Sequence, residues 1–184
     1  MAIAEPTLDK TRIDWLTRVA IAEATVDKTM AEATTLDKTT ADAVWKENLS
    51  AFEYKVLRQK GTEPRGGEYD SFYPKPKEGY FVCRGCKNPL YSAEAKFKSG
   101  CGWPAFDKCY KNSVEITEDT SHGMLRIEIT CANCAGHLGH VFVGEQMTPT
   151  NERHCVNSVS VKFVKGAPPA DVVEEVVTEK LQNS

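Results

Sequence analysis

Leu125-Arg126-Ile127-Glu128-Ile129 alternates apolar and polar side chains, and Ser113-Val114-Glu115-Ile116-Thr117 does the same a little earlier in the chain. Successive side chains of a strand point to opposite faces, so both stretches read as antiparallel strands that bury one face and wet the other. Gly, Asn and Pro punctuate these and other short runs from Tyr80 onward, which makes the core β-rich. Just beyond the second strand comes Cys131-Ala132-Asn133-Cys134, matched upstream by Cys83-Arg84-Gly85-Cys86. The two-residue spacer lets one turn aim both sulfurs at one ion, so Cys83, Cys86, Cys131 and Cys134 form the thiolate set of a tetrahedral, structural zinc site. The 44 residues between Cys86 and Cys131 exceed a compact zinc ribbon, so the ion would staple two distant loops. Two redox-active CxxC pairs would call for a βαβ setting that this core does not offer. A set of Cys131, Cys134, His137 and His140 lacks the helix that separates cysteines from histidines in a zinc finger.

Working outward, the chain divides into three parts. Residues 1–44 carry a degenerate repeat, Thr7-Leu8-Asp9-Lys10-Thr11, Thr25-Val26-Asp27-Lys28-Thr29 and Thr35-Leu36-Asp37-Lys38-Thr39, whose spacings of 18 and 10 fit no solenoid. Their Ala, Thr, Glu and Lys content reads as a polar extension, disordered or weakly helical. Residues 45–165 hold the folded domain. It opens with Ser50-Ala51-Phe52-Glu53, a capping box that starts a short helix, which Gly61 is expected to close. Residues 166–184 begin after a strand broken by Pro168-Pro169. There Val172, Val173, Val176 and Val177 recur at helical spacing, as a short segment packed on the domain.

The charge balance is 23 Lys and Arg against 26 Asp and Glu, net −3, with a pI near 5.9. No net positive field exists to gather nucleic acid or an anionic membrane surface. No apolar run approaches the length of a spanning helix. An odd number of cysteines, seven in all, suits a reducing compartment. Nine acidic residues in the first fifty argue against a transit peptide, so the expectation is a cytoplasmic monomer, with an organellar location left open.

The remaining cysteines Cys101, Cys109 and Cys155 are where reactivity must be sought. Arg153 to Phe163 reads as one strand, in which Arg153, Cys155 and Asn157 share a face. A guanidinium beside Cys155 lowers its thiol pKa and favours the thiolate that nucleophilic attack needs. His137 and His140 directly follow the second knuckle, so a rigid staple would present two candidate proton donors. Gly100-Cys101-Gly102-Trp103-Pro104-Ala105-Phe106 places a cysteine between glycines beside aromatics able to wall an apolar pocket. Cys109 lies outside every motif and reads as a small core residue.

These residues resemble the methionine sulfoxide reductase B family from about Trp45 to Phe163. The likeness rests on Gly61-Thr62-Glu63 with Gly67-Glu68-Tyr69, both CxxC pairs, Ser99 to Phe106, Gly136-His137-Leu138-Gly139-His140-Val141-Phe142, and Arg153 to Ser158. It implies a mainly β fold of two antiparallel sheets in a barrel-like arrangement, stapled by zinc away from the active site. Cys155 matches the family's nucleophile, Cys101 its resolving cysteine, and Arg153 its thiolate-stabilising arginine. Trp103, with Phe142, falls on the side of the substrate methyl; His137, His140 and Asn157 match the polar groups around the sulfoxide. Many relatives carry Asp-Asp-Gly-Pro where this chain has Val143-Gly144-Glu145-Gln146, a loop that resembles the plant-like branch. Glu145 is the candidate substitute for the missing aspartate.

The resemblance further implies reduction of methionine (R)-sulfoxide, free or in oxidised proteins. Cys155 would attack the sulfoxide sulfur, with His140 as the preferred acid, and become a sulfenic acid; a Cys155–Cys101 disulfide would then be reopened by thioredoxin. A rival from another class is a zinc-stapled binding module in which Cys155, Cys101 and both histidines are incidental.

Overall fold

Ser50 opens a helix because its hydroxyl accepts the Glu53 amide at 3.2 Å while the Glu53 carboxylate accepts the Ser50 amide at 2.8 Å. Two donors at the start of the helix are thereby satisfied together. This helix, α2 (Ala51–Leu57), follows α1 (Asp42–Asn48) in the computed structural model, which describes residues 36–120 and 126–178. The end of α2 corrects the expectation at Gly61. Lys60, not Gly61, takes the left-handed conformation, at φ 56°, and the Gly61 amide bonds the Lys55 carbonyl at 3.0 Å. Glycine is needed because a Cβ there would lie 2.9 Å from that oxygen.

The first two repeat copies, and the disorder or weak helix expected of residues 1–35, lie outside the described residues. The third copy is packed from Leu36 on. Leu36 is buried, and Asn133, inside the second CxxC pair, grips the backbone on either side of Asp37. Its side-chain amide donates to the Leu36 carbonyl and its own carbonyl accepts the Lys38 amide, each at 3.1 Å. Asp37 folds the turn by accepting the Thr39 amide at 2.8 Å and hydroxyl at 2.7 Å. Residues 36–44 read as polar extension because composition hides one apolar anchor, Leu36. From α1, Trp45 is buried beneath the Arg58 guanidinium, 4.7 Å from its ring, and Arg58 donates to the Cys134 carbonyl at 2.8 Å.

The rest of the fold is mainly β. One sheet joins β1 (Gly79–Cys83), β2 (Pro89–Ser92) and β10 (Val161–Lys165) in the order β10-β1-β2. A six-stranded sheet joins β3 (Lys96–Phe97), β4 (Ala105–Phe106), β6 (Val114–Asp119), β7 (Arg126–Cys131), β8 (His137–Val143) and β9 (Glu152–Val156) in the order β3-β4-β9-β8-β7-β6. A third pair is β5 (Cys109–Tyr110) with β11 (Glu174–Glu175), and every pairing is antiparallel. Aromatic rings join the two larger sheets: Phe81 of β1 lies 5.0 Å from Phe106 of β4 and 5.2 Å from Phe163 of β10, and Tyr91 stacks on Phe106 at 4.1 Å. Each such pair adds about 0.5–1.5 kcal/mol beyond its buried area.

Two expectations are corrected here. Arg153 to Phe163 is not one strand. It divides into β9, a 3₁₀ turn at Ser158–Ser160, and β10 in the other sheet. Buried Glu63 causes the break, because its carboxylate accepts the amides of Ser158 and Val159 and turns the chain. Likewise, the four valines after Pro169 do not form a helix. Lys111 donates to the Val173 carbonyl at 2.6 Å, β11 pairs with β5, and Val177 is buried, so the segment lies extended on the domain. Its anchor is the buried carboxylate of Glu152, which accepts the amides of Val177 at 3.0 Å and Thr178 at 2.6 Å, and also meets the His154 ring at 2.9 Å.

Candidate active site

Strand β9 is the backbone of the site. Its Cys155 is paired with Ala105 of β4 on one side and His140 of β8 on the other. The strands approach closely at Gly139, where a Cβ would lie 1.9 Å from the Cys155 carbonyl oxygen. Only glycine fits at position 139, directly before His140. A cleft of about 150 Å³ opens over this point, lined by Thr62, Trp103, Arg126, His137, Gly139, His140, Phe142, Cys155, Val156 and Asn157. Six of the residues singled out from the sequence thus share one wall.

Cys101 reaches the same place from the loop before β4. Its sulfur is 3.8 Å from that of Cys155, 3.0 Å from the Ser99 hydroxyl and 3.3 Å from the Trp103 carbonyl. The Trp103 indole is fixed by donation to the Glu63 carbonyl at 3.1 Å, with the Arg65 guanidinium 5.2 Å from its ring. The two thiols are within hydrogen-bond reach of each other. The hydrogen bond from Cys155 draws the Cys101 thiol down to about 5, with Ser99 and Arg153 adding to it against burial. The same bond, together with burial, pushes Cys155 up, while the Arg153 charge pulls the other way. The sequence assigned the resting thiolate to Cys155 on the strength of Arg153 alone. In the folded pair the shared hydrogen bond and the Ser99 hydroxyl favour charge on Cys101, while the Arg153 charge favours it on either sulfur.

Arg153 is itself clamped: its Nε and Nη2 meet the two Glu145 oxygens at 2.6 and 2.8 Å, and its guanidinium covers the Phe142 ring at 4.3 Å. The variant loop therefore does supply a carboxylate to this arginine. Asn157 is buried with its side chain directed at backbone, accepting the Glu63 amide at 2.9 Å and donating to the Leu138 carbonyl at 3.0 Å. It ties the walls of the cleft together.

Each histidine has its own carboxylate, and sequence reasoning missed both. His137 Nδ1 lies 2.7 Å from Glu128, whose other oxygen meets Lys60 at 2.6 Å. His140 Nε2 lies 2.8 Å from Asp119, which Arg126 also meets at 2.8 Å. Burial pushes the His137 pKa down and Glu128 pulls it back in part. Burial opposes the shift of Glu128, but Lys60 and His137 bring its carboxyl below the usual range. The signal lay in the polar face of the β6–β7 hairpin. Its acids read as solvated, and only the pairing of Glu128 with His140 reveals that they face the histidines.

The four knuckle sulfurs all lie within 4.8 Å of one another, with Cys83 to Cys134 at 3.7 Å and Cys86 to Cys131 at 3.5 Å. A tetrahedron of bonds near 2.3 Å has edges of about 3.8 Å, so this set can hold a metal ion. The Asn88 amide, 3.6 Å from Cys131, donates toward a sulfur. Cys109 sits apart in β5, buried, its thiol 3.8 Å from the Glu175 carbonyl.

Comparison with known proteins agrees with this geometry. The SelR domain model matches residues 49–165. Peptide methionine sulfoxide reductase B5 of Oryza sativa subsp. japonica is 52% identical over 128 residues, covering 68% of this chain and 90% of that protein. The B5 protein of Arabidopsis thaliana is 54% identical over 121 residues, 65% and 84% of the two chains. Peptide methionine sulfoxide reductase B4 of Arabidopsis thaliana is 48% identical over 141 residues, 76% and 97%. With its paired cysteines, its histidine cleft and its four-thiol knuckle, the chain belongs to the methionine sulfoxide reductase B family.

Proposed function

We propose that this chain reduces methionine (R)-sulfoxide to methionine by thiol chemistry. The observation that carries the reading is the sulfur pair of Cys101 and Cys155, 3.8 Å apart beside a histidine-lined cleft. Cys155 passes its proton to the Cys101 thiolate or to the cleft and attacks the sulfoxide sulfur, while a histidine protonates the oxygen. The sulfoxide sulfur gains two electrons and leaves as methionine. Cys155 loses two and holds the oxygen as a sulfenic acid. Cys101 then attacks that sulfur, releasing hydroxide and forming the disulfide, which a thioredoxin dithiol reopens by exchange. Trp103 and Phe142 provide the apolar wall for the methyl group, and Arg153, held by Glu145, adds positive charge beside the sulfurs.

The metal of the knuckle is zinc in this reading, one per chain, and structural: Cys83, Cys86, Cys131 and Cys134 would hold it and it contributes folding free energy. The protein acts as a monomer on free or protein-bound substrate. Among the described residues no helix is long and apolar enough to cross a membrane. A cytoplasmic location is our reading of seven cysteines outside any disulfide, which suit a reducing compartment; one relative, the B3 protein of Oryza sativa subsp. japonica, is chloroplastic. The deciding experiment is turnover of each methionine sulfoxide epimer with dithiothreitol. Reduction of the R epimer alone is the expected result, and no reduction of either would remove the proposal.

A further inference from the structure

Three of the cations in or beside the cleft already have a carboxylate of this chain: Lys60 meets Glu128 at 2.6 Å, Arg126 meets Asp119 at 2.8 Å and Arg153 meets Glu145 at 2.6 Å. Arg65 does not. It is exposed, and among the described residues it forms no ion pair. The acids nearest to it in the chain are engaged elsewhere, Glu63 with the amides of Ser158 and Val159 and Glu68 with Arg84 at 3.5 Å. Its place is nonetheless set by the fold. Gly66 turns the chain directly after it, at φ 81°, and donates its amide to the Gly102 carbonyl at 2.8 Å. The stem of Arg65 runs along Gly102, where an added Cβ would lie 2.9 Å from its Cγ and 3.0 Å from its Cβ and Cδ. The guanidinium then comes to rest 5.2 Å from the centre of the Trp103 ring, which lines the cleft.

We propose that Arg65 is a specificity-determining residue, its guanidinium receiving a substrate carboxylate beside the cleft while the methionine sulfoxide lies against Trp103. This rests on the reductase reading given above and deepens it by naming the favoured substrates as acidic ones. The anions that accompany a methionine sulfoxide are carboxylates, either Asp or Glu next to it in a polypeptide or its own α-carboxylate as the free amino acid. Residues of an extended chain follow one another at about 3.3–3.6 Å, so an acidic side chain one or two positions away reaches a group that stands one indole ring from the bound side chain. A guanidinium offers a carboxylate two parallel N–H bonds, and here no acid of the chain competes for them. Lys60, Arg126 and Arg153 could do the same only by giving up a pair they already have.

The test uses the full, metal-loaded chain with dithiothreitol, as wild type, Arg65→Met, Arg65→Lys and Lys165→Met, the last removing an equal charge from the exposed side of the other sheet. Two substrate pairs differ only in a carboxylate: blocked pentapeptides with Asp or Asn on both sides of a central methionine (R)-sulfoxide, and N-acetyl-methionine (R)-sulfoxide or its amide. Wild type should favour the carboxylate member by about 2- to 5-fold in KM with kcat little changed, the range of an exposed ion pair. That preference should fade between about 0.1 and 1 M salt, as the screening length shortens from about 10 to 3 Å. Arg65→Met should bring the KM ratio to unity, Arg65→Lys should keep part of it, and Lys165→Met should leave it as in wild type. A preference in the peptide pair places the recognised carboxylate on a neighbouring residue; one in the acetyl pair alone places it on the main chain. No preference in either pair, or one that survives Arg65→Met, overturns the proposal, as does an equal fall in kcat for every substrate with the KM ratio unmoved. Absence of sulfoxide reduction by wild type would instead remove the reductase reading. Calorimetric dissociation constants of the same substrates would then judge Arg65 alone, equal values for wild type and Arg65→Met counting against it.

Discussion

The sulfurs of Cys101 and Cys155 touch without bonding, at 3.8 Å, although their residues come from a loop and a strand 54 positions apart. A disulfide needs about 2.05 Å, so closing the bond requires a movement of the Cys101 loop of under 2 Å and no change in β9. The two cysteines should therefore fail differently when replaced. Cys155→Ser abolishes turnover with every reductant, since a neutral hydroxyl neither attacks sulfoxide sulfur nor forms a sulfenic acid. Cys101→Ser keeps the dithiothreitol-driven reaction and loses the thioredoxin-driven one. Mass spectrometry of Cys101→Ser after substrate and before reductant should find Cys155 oxidised. Equal loss with both reductants would instead assign Cys101 to the wall of the pocket.

Alkylation should report which thiol holds the resting charge. With Cys101 drawn down to about 5, its thiolate is populated above that pH and disappears as pH falls through it. Iodoacetamide at pH 6 should label Cys101 first, and labelling should slow toward pH 4. In Cys155→Ala the hydrogen bond from the partner thiol is gone and the Cys101 profile should move to higher pH. Preferential labelling of Cys155 at pH 6 would contradict the assignment.

Removal of the knuckle metal should unfold the domain. Cys83→Ser or Cys131→Ser should lose about one zinc per chain and much of the stability, because metal-binding free energy of about 10 kcal/mol is folding free energy for such sites. Metal analysis alongside thermal melting checks this. A metal-free wild type with an unchanged melting temperature would exclude the staple.

Truncation should separate the packed copy of the repeat from the other two. Deleting residues 1–34 should leave both turnover and melting temperature unchanged. Deleting 1–41 removes Leu36 and its bonds to Asn133 and should cost about 1.5–3 kcal/mol. Equal melting temperatures for the two truncations would show that the Leu36 contact contributes nothing.

Glu145→Ala leaves Arg153 without its bidentate partner while its side chain stays nearly buried. Glu145 is one-third exposed, so solvent screens the pair, and a loss of about 1 kcal/mol is expected, with slower thiol alkylation in the cleft as Arg153 loses its fixed position. Glu145→Asp should recover part of both effects, as read by melting and alkylation rate.

The parts legible in the sequence were those set by local rules. Strand alternation gave β6 and β7, the CxxC spacing gave the thiol cluster, and Ser50 with Glu53 gave the start of α2. What escaped depended on residues far apart in the chain. Glu63 breaks the strand after Cys155 from 95 positions away through the Ser158 amide. Glu152 draws the C-terminal valines into an extended run by binding their amides, although their spacing fits a helix. Glu128 and Asp119 look like ordinary solvent-facing acids until β8 is laid beside β7. Leu36 is one apolar residue in a polar repeat, and only Asn133 distinguishes its copy from the others.

Trp103 adds an optical consequence. Its indole is pinned by the Glu63 carbonyl while its own carbonyl rests 3.3 Å from the Cys101 sulfur, so the chromophore sits beside the sulfur pair in a fixed pose. Conversion of a thiolate and thiol to a disulfide removes a negative charge next to it, and emission should change with each half of the cycle. Of the other two tryptophans, Trp45 is buried under Arg58 and Trp15 lies outside the described residues, so Trp103→Phe supplies the background emission to subtract. The chain thus carries an intrinsic fluorescent gauge of its own oxidation state, readable in a stopped-flow instrument without any attached dye.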